Sequence, residues 1–391
     1  MSAATRGLTA ALAALCLAAC ATPRAVPPPH RPPPAPAPHR PRPPATLPRP
    51  PASPPVQPVR LALADLPGWS AEDHAAAFAA YRATCGLARE PGPAALCARA
   101  KSLGVLEGPE ARRFLEGAFT AEALSGSGVL TAYFSPIYAA RRSPDAEFSA
   151  PLRGKPQDLV VIDAEKFDPV SAMPSVVRRR ADGSLEAYPE RADIEAQPDP
   201  APLAWMRPEE LFFLQIQGSG RLVLEDGATL KAAYAANNGR PFLGIANPMR
   251  ERGLLARDAT SGEAIRGWLA DHRGPEADAI MRLNPRFAFF SLVPDDGKPP
   301  LGAAGLPLPA GRSVAIDRAF HAMGAPLWIV GEAPMLAGAF ASYRRLVMAL
   351  DTGGAIKGQI RADLYLGEGP AAGTEAGRVR HTLRLYRLVP R

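Results

Sequence analysis

Ala349-Leu-Asp-Thr-Gly-Gly-Ala-Ile-Lys-Gly-Gln-Ile-Arg-Ala-Asp-Leu-Tyr365 sets two carboxylates at the ends of short apolar strands. Val347 to Leu350 is an apolar run that stops at Asp351, Gly353-Gly354 forces a turn, and a strand resumes at Ala362 around Asp363. An aspartate beside an apolar strand is costly unless it is hydrogen-bonded or used, because burial penalises its charged form. Taken alone, Asp351 reads as a cap of the glycine turn. Asp363 fits that reading less well, since it faces the same turn across a short hairpin. Asp317, in Ser313-Val-Ala-Ile-Asp-Arg318, is a third acid that ends an apolar strand.

Around this stretch the chain reads as short strands at Ser313 to Ile316, Pro326 to Val330, Arg345 to Leu350, Ala362 to Leu366 and His381 to Val389, with Gly/Pro turns between them. Everything after the aromatic run Arg286 to Val293 is expected to be β. Periodicity alone says only that this part is β-rich, closed or sandwich-like.

Upstream, Val129 to Ile137 alternates as a strand and leaves Thr131 and Tyr133 on one face, residues suited to a sugar and equally to a plain edge strand. Residues 138–285 change character. Leu211 to Gln217, Arg221 to Glu225 and Thr229 to Ala235 read as strands joined by Gly218-Ser-Gly220 and Asp226-Gly227, which suggests a small inserted β domain. Gln215 and Gln217 would then share a face, as amides facing sugar hydroxyls or as solvated strand residues. Helices around Ala264 to His272 and Pro275 to Leu283 close the insert, and Arg286 to Val293 returns to the first domain. The Gly-Ser-Gly turn lacks the GxSxG frame of a hydrolase elbow, and Gly353-Gly-Ala-Ile-Lys-Gly358 lacks the Lys-Ser/Thr end of a phosphate loop.

Residues 61–124 read as helical, opening at Ser70-Ala-Glu-Asp73 in the manner of a capping box. In an exported protein Cys85 and Cys97 can form a disulfide across the turn at Gly92-Pro93. A metal site is the rival reading for the pair. No histidine lies near it at ligand spacing, and the six histidines form no HExxH set, so no metal or cofactor is expected.

Residues 1–19 read as a secretory signal, with Arg6 before an apolar core from Leu8 to Leu17. Leu17-Ala-Ala-Cys20 resembles a bacterial lipobox, which makes Cys20 the expected lipid-modified residue and, with Ala21 behind it, the outer membrane the expected anchor. Residues 20–60 form the tether: positions 21–60 hold 18 prolines and six arginines with no acid. Such a segment buries no core and spans on the order of 100 Å at about 3.1 Å per residue. The net charge of +7 comes entirely from Arg6 and those six arginines, since residues 61–391 carry 38 basic and 38 acidic residues. The globular part is neutral, which argues against a nucleic-acid partner.

The three strand-end aspartates resemble the three-aspartate ("3D") domain of the membrane-bound lytic murein transglycosylase A family. The matching residues are Val314-Ala-Ile-Asp-Arg318, Ala349 to Gly358, Asp363-Leu-Tyr365 and Gly367 to Gly373, with Thr131 to Pro136, Gln217-Gly-Ser-Gly220 and Asn284 to Phe290 upstream. Ala132 stands where the family pattern has glycine. The resemblance implies a mainly β chain with N-terminal helices, a double-psi β-barrel domain (61–137 and 286–391) and a second β domain inserted at 138–285, with a groove between them. It implies cleavage of the β-1,4 bond between N-acetylmuramic acid and N-acetylglucosamine of peptidoglycan strands at the periplasmic face of the outer membrane. Partners among the cell-wall machinery are unknown.

In that chemistry the muramic C6 hydroxyl replaces water and forms a 1,6-anhydro end, so one acid can act first as acid and then as base. Asp363 is expected in that role, with Asp351 and Asp317 in support. Thr131, Tyr133, Gln215, Gln217, Gly218, Ser219, Gly353, Gly354, Lys357 and Tyr365 are expected to meet substrate, with Lys357 turned away from Asp363 or toward Asp351. Two other readings stay open: a wall-binding lipoprotein without catalysis, and a hydrolase using Asp351 and Asp363 as a carboxylate pair.

Overall fold

A computed structural model describes residues 59–162, 176–256, 261–333 and 340–391. The signal, Cys20 and nearly all of the tether lie outside the described residues. In chain order, β1 (Arg60–Ala62) leads to α1 (His74–Thr84), α2 (Pro91–Ser102) and α3 (Gly108–Ala118), then to β2 (Phe119–Ala123), β3 (Gly128–Ser135) and β4 (Ile137–Ala139). Next come β5 (Ala150–Leu152), β6 (Leu159–Val161), β7 (Val176–Arg179), β8 (Leu185–Ala187), α4 (Arg191–Glu195), β9 (Ala204–Met206) and α5 (Pro208–Gln217). β10 (Gly220–Val223), β11 (Thr229–Asn237), α6 (Ala246–Glu251), α7 (Gly262–Asp271) and α8 (Pro275–Met281) follow. The C-terminal part is β12 (Ala288–Pro294), β13 (Ser313–Ala315), β14 (Pro326–Glu332), β15 (Ser342–Asp351), β16 (Arg361–Glu368), α9 (Gly369–Ala376) and β17 (Arg380–Pro390).

The main sheet has the order β1-β2-β17-β14-β15-β13-β16-β3, with β3 also turning back onto β17. β17 is long enough to serve three neighbours: Arg380–Leu383 meets β3, Thr382–Arg387 meets β14, and Tyr386–Pro390 meets β2. The sheet as a whole is not closed into a barrel, since its terminal strands β1 and β3 do not pair with each other. This corrects the expectation of a mainly β chain built on a double-psi barrel with an inserted β domain: the chain is mixed α/β, with helices in its N-terminal, middle and C-terminal parts.

Leu346 to Leu350 of β15 is buried on both faces, which is why that run reads as continuously apolar rather than alternating. One face carries Trp328, Leu346, Met348 and Leu350, covered by Trp69, Phe78 and Leu115 of the helical segment; the Trp69 and Trp328 rings meet edge-on at 5.2 Å. The other face packs Leu130, Val314, Val347, Ala349 and Leu364 together. Helix α1 is capped by Asp73, whose Oδ1 accepts from the Ala76 N–H at 3.0 Å, so the start lies at the end of the expected box and not at Ser70. Buried Glu72 is thereby free to face the sheet, where it accepts from the Leu346 N–H at 2.8 Å and from Arg312 at 2.6 Å. A disulfide joins Cys85 to Cys97 with Cα atoms 5.5 Å apart, tying the end of α1 to α2.

The four-stranded sheet β12-β11-β10-β4 forms the core of the middle region. Three expectations are corrected here. Leu211 to Gln217 is not a strand but most of α5, whose Pro208 start and Glu209-Glu210 first turn suit a helix N-terminus. The aromatic strand β12 does not return to the main sheet; it pairs along β11 from Asn237↔Ala288 to Leu230↔Pro294. The C-terminal part also holds α9, so it is not all β. Among the described residues no helix is long and apolar enough to cross a membrane.

Candidate active site

Four adjacent strands bring the chemistry to one level. β13 lies between β15 and β16, so Ala315 is opposite both Asp351 and Asp363. Parallel pairing of β16 with β3 then sets Thr131 opposite Asp363 and Tyr133 opposite Tyr365. Residues far apart in sequence thus form one row across the sheet.

Asp363 is half-buried. Burial pushes its carboxyl above the ordinary range and the charge of Asp351 adds to the rise; the Thr131 hydrogen bond and the Arg361 guanidinium pull the other way. The hydrogen bonds around it have a fixed direction. Arg361 Nη2 only donates, and it reaches Thr131 Oγ1 at 2.8 Å, so the hydroxyl hydrogen is directed to Asp363 Oδ1. When Asp363 is protonated, Oδ2 is therefore the oxygen left to carry the proton.

Asp351 is held differently. Its Oδ1 accepts from the N–H groups of Ala303 (2.9 Å) and Thr352 (2.8 Å), and its Oδ2 accepts from the Tyr133 hydroxyl at 2.7 Å. Burial, with the charges of Asp351 and Asp363, keeps that hydroxyl protonated well above the usual range. Tyr365 is also buried, its pKa pushed up to about 12 by burial; its hydroxyl donates to Ser135, which lies 3.3 Å from the Ser219 hydroxyl.

Asp317 stands apart from this row. Its Oδ2 accepts from the Gly358 N–H at 2.8 Å and its Oδ1 from the Ala319 N–H at 3.1 Å, bonds that hold its carboxyl below the usual range. It pins the loop after β15. Lys357 is exposed and its charge acts on Asp317, while the cation beside Asp363 is Arg361. Sequence reasoning missed Arg361, because an arginine opening a strand reads as solvated. Ala132, the position expected as glycine, points to the opposite face of β3 and packs in the core beneath.

A groove of about 980 Å³ runs past this row. Asp351, Gly353, Gly354, Gln215, Gln217, Gly218 and Ser219 line it; Asp363, Asp317, Thr131, Tyr133, Lys357 and Tyr365 do not. Gln215 and Gln217 reach it from the last turn of α5, where Gly218 ends the helix in the left-handed region at φ 85°. Gln217 Oε1 accepts from the Phe134 N–H at 3.2 Å and Gln215 Nε2 donates weakly to the Ala288 carbonyl. Gly353 is required because a Cβ there would meet Ile356 Cγ1 at 2.7 Å.

Residues 129–291 match the family description "MltA specific insert domain" and residues 312–389 match "3D domain". A crystal structure of the membrane-bound lytic murein transglycosylase from Agrobacterium tumefaciens is 32% identical, superposes with a TM-score of 0.73, and is covered over 97% of its length by 85% of this chain. The chain belongs to the membrane-bound lytic murein transglycosylase A family. The family's Vibrio cholerae protein is 35% identical over 270 residues, 67% of this chain. That match spans 66% of the Vibrio protein's length, just under two thirds. A crystal structure of Escherichia coli MltA with bound chitohexaose is 27% identical with a TM-score of 0.62, over 81% of this chain and 90% of that one. The 3D-domain match spans Asp317, Asp351 and Asp363. It does not by itself divide the roles among them, and here the geometry separates Asp317 from the other two.

Proposed function

We propose that this chain is a peptidoglycan lytic transglycosylase, with Asp363 acting first as acid and then as base. The observation that carries this is the directed contact at Asp363: a half-buried carboxyl with a raised pKa, one oxygen receiving the Thr131 hydrogen and the other left for the proton. A protonated Asp363 gives that proton to the oxygen leaving the anomeric carbon of the muramic residue. The ionised carboxylate then takes the proton of the C6 hydroxyl as that oxygen closes on C1. No water enters, and the product carries a 1,6-anhydro end.

Asp351 serves as a fixed negative charge. Three hydrogen bonds hold it in place; its charge raises the pKa of Asp363 and stabilises positive charge developing at C1. Asp317 and Lys357 shape the loop that carries Gly353-Gly354. Gln215, Gln217 and Ser219 face the glycan strand from the far wall of the groove, and the Escherichia coli relative has been crystallised with bound chitohexaose, an oligosaccharide. Residues 61–137 and 286–391 supply the acid and 138–285 the opposing wall, with β12 contributed to the latter. Cys20 anchors the chain by lipid to the periplasmic face of the outer membrane, and residues 20–60 let it reach the wall. The test is release of anhydro products from peptidoglycan by the full chain, and their loss in Asp363→Asn.

A further inference from the structure

The Asn284-Pro-Arg-Phe287 segment has no part in the acid–base account, yet its backbone is held by several buried or partly buried hydrogen bonds. The buried Arg191 donates to the Asn284 carbonyl at 2.9 Å and to the Arg286 carbonyl at 2.6 Å, and its own N–H meets the Pro285 carbonyl at 3.0 Å. Asn238 donates to the Pro285 carbonyl at 2.8 Å and accepts from the Phe287 N–H at 2.9 Å. The backbone that carries the Arg286 side chain is thus fixed from two directions.

That side chain lines the groove opposite the turn after Asp351. Its Nη1 donates to the Arg240 carbonyl at 3.1 Å, and among the described residues no carboxylate pairs with it. The other groove cations differ: Arg221 pairs with Asp295 and Glu368, Lys231 with Asp295 and Asp296, and Lys298 with Asp296. Burial disfavours the Arg286 charge without a carboxylate to offset it. Gly354 explains how the guanidinium fits, because a Cβ there would stand 3.3 Å from Cζ and 3.4 Å from Nε. A preorganised cation, half-buried, unpaired and laid against a bare glycine is a site built for an anion.

We propose that Arg286 receives a carboxylate borne by the muramic substituent of the glycan. This deepens the proposed function and rests on peptidoglycan being the substrate. N-acetylglucosamine carries no charge, whereas the muramic lactyl ether ends in a carboxylate when free and leads to peptide carboxylates when substituted. The site therefore sets which sugar of the alternating strand sits beside Asp351.

The test measures binding of four oligosaccharides to the full chain carrying Asp363→Asn: peptide-free strands with lactyl carboxylates, the same strands converted to neutral amides, peptide-bearing strands, and chitohexaose. The expected result is about tenfold or more tighter binding of a carboxylate-bearing strand than of its neutral amide, lost in Arg286→Gln with chitohexaose affinity unchanged. Arg286→Lys keeps the charge without the fork and should fall between; Gly354→Ala, which crowds the guanidinium, should weaken the carboxylate-bearing strands more than chitohexaose. An advantage confined to peptide-bearing strands would place the carboxylate in the peptide, and an advantage of free lactyl strands would place it on the ether. Equal weakening of all four ligands in Arg286→Gln, or of none, overturns the proposal. Failure of the chain with native Asp363 to release anhydro ends would overturn the acid–base reading while leaving the binding comparison standing; absence of binding to every glycan would overturn both.

Discussion

Arg361 donates to the Thr131 hydroxyl at 2.8 Å across 230 positions of sequence, and this contact sets which oxygen of Asp363 is free. Thr131→Val removes a hydrogen bond that favours the charged carboxyl, so the pKa of Asp363 rises further. The pH–rate profile should then keep its shape while its basic limb moves to higher pH. The maximal rate should fall about ten- to a hundredfold, as expected for a mispositioned general acid. Thr131→Ser should restore both. A purely structural role for Thr131 would lower the rate without moving the limb.

Asp363 also predicts a stability change. Its pKa is raised in the folded protein, chiefly by burial, so its contribution is fully present below the unfolded carboxylate pKa and is lost as pH rises through the folded value. Asp363→Asn should therefore melt higher than the native chain at neutral pH, by about a few degrees, and the gap should close toward acid pH. Equal melting temperatures at every pH would contradict the raised pKa.

Asp317 predicts the opposite sign. The N–H groups of Gly358 and Ala319 hold its carboxyl down, so the stability it supplies is present above the ordinary carboxylate range and is lost as pH falls through the lowered value. Asp317→Ala should melt below the native chain at neutral pH, and the difference should shrink in acid. Turnover should fall by about tenfold or less, against near-complete loss in Asp363→Asn, because the carboxylate acts through the loop and not on substrate. Turnover assays of the two variants side by side check this.

Cys85 and Cys97 close a loop of 12 residues' separation between the end of α1 and α2, and both lie in the core cluster that holds Phe78 and Phe114. A loop of that size stabilises by about 3 kcal/mol. Cys85→Ser with Cys97→Ser should lower the denaturant midpoint by a corresponding amount while leaving the KM for peptidoglycan unchanged, since neither residue lines the groove. Denaturant titration of the reduced and oxidised chain provides the check.

How much of this was legible in sequence depended on range. The strands β13 to β17 read correctly because Val314, Ile329, Val347 and Leu364 stand in short apolar runs bounded by Gly and Pro. The segment Leu211 to Gln217 misled because Leu-Phe-Phe-Leu-Gln-Ile is apolar at both periods; Arg207-Pro208-Glu-Glu before it was the available helix signal. Helix α9 was hidden by its glycines and alanines, with Pro370 as its one local mark. Asp351 and Asp363 were visible because each interrupts an apolar strand. Arg361 and Arg286 were not, since their meaning lies in Thr131 and in the bare α-carbon of Gly354, contacts that no local pattern encodes.

The central claim is that Asp363 cleaves peptidoglycan without water. Mass spectrometry of the muropeptides released from purified peptidoglycan by the full chain tests it most directly, with Asp363→Asn alongside. The account predicts fragments one water lighter than hydrolysis products, absent with the variant. Reducing-end fragments would contradict it and point to a hydrolase using Asp351 with Asp363, and release of nothing by the native chain, with binding retained, would point to a wall-binding protein.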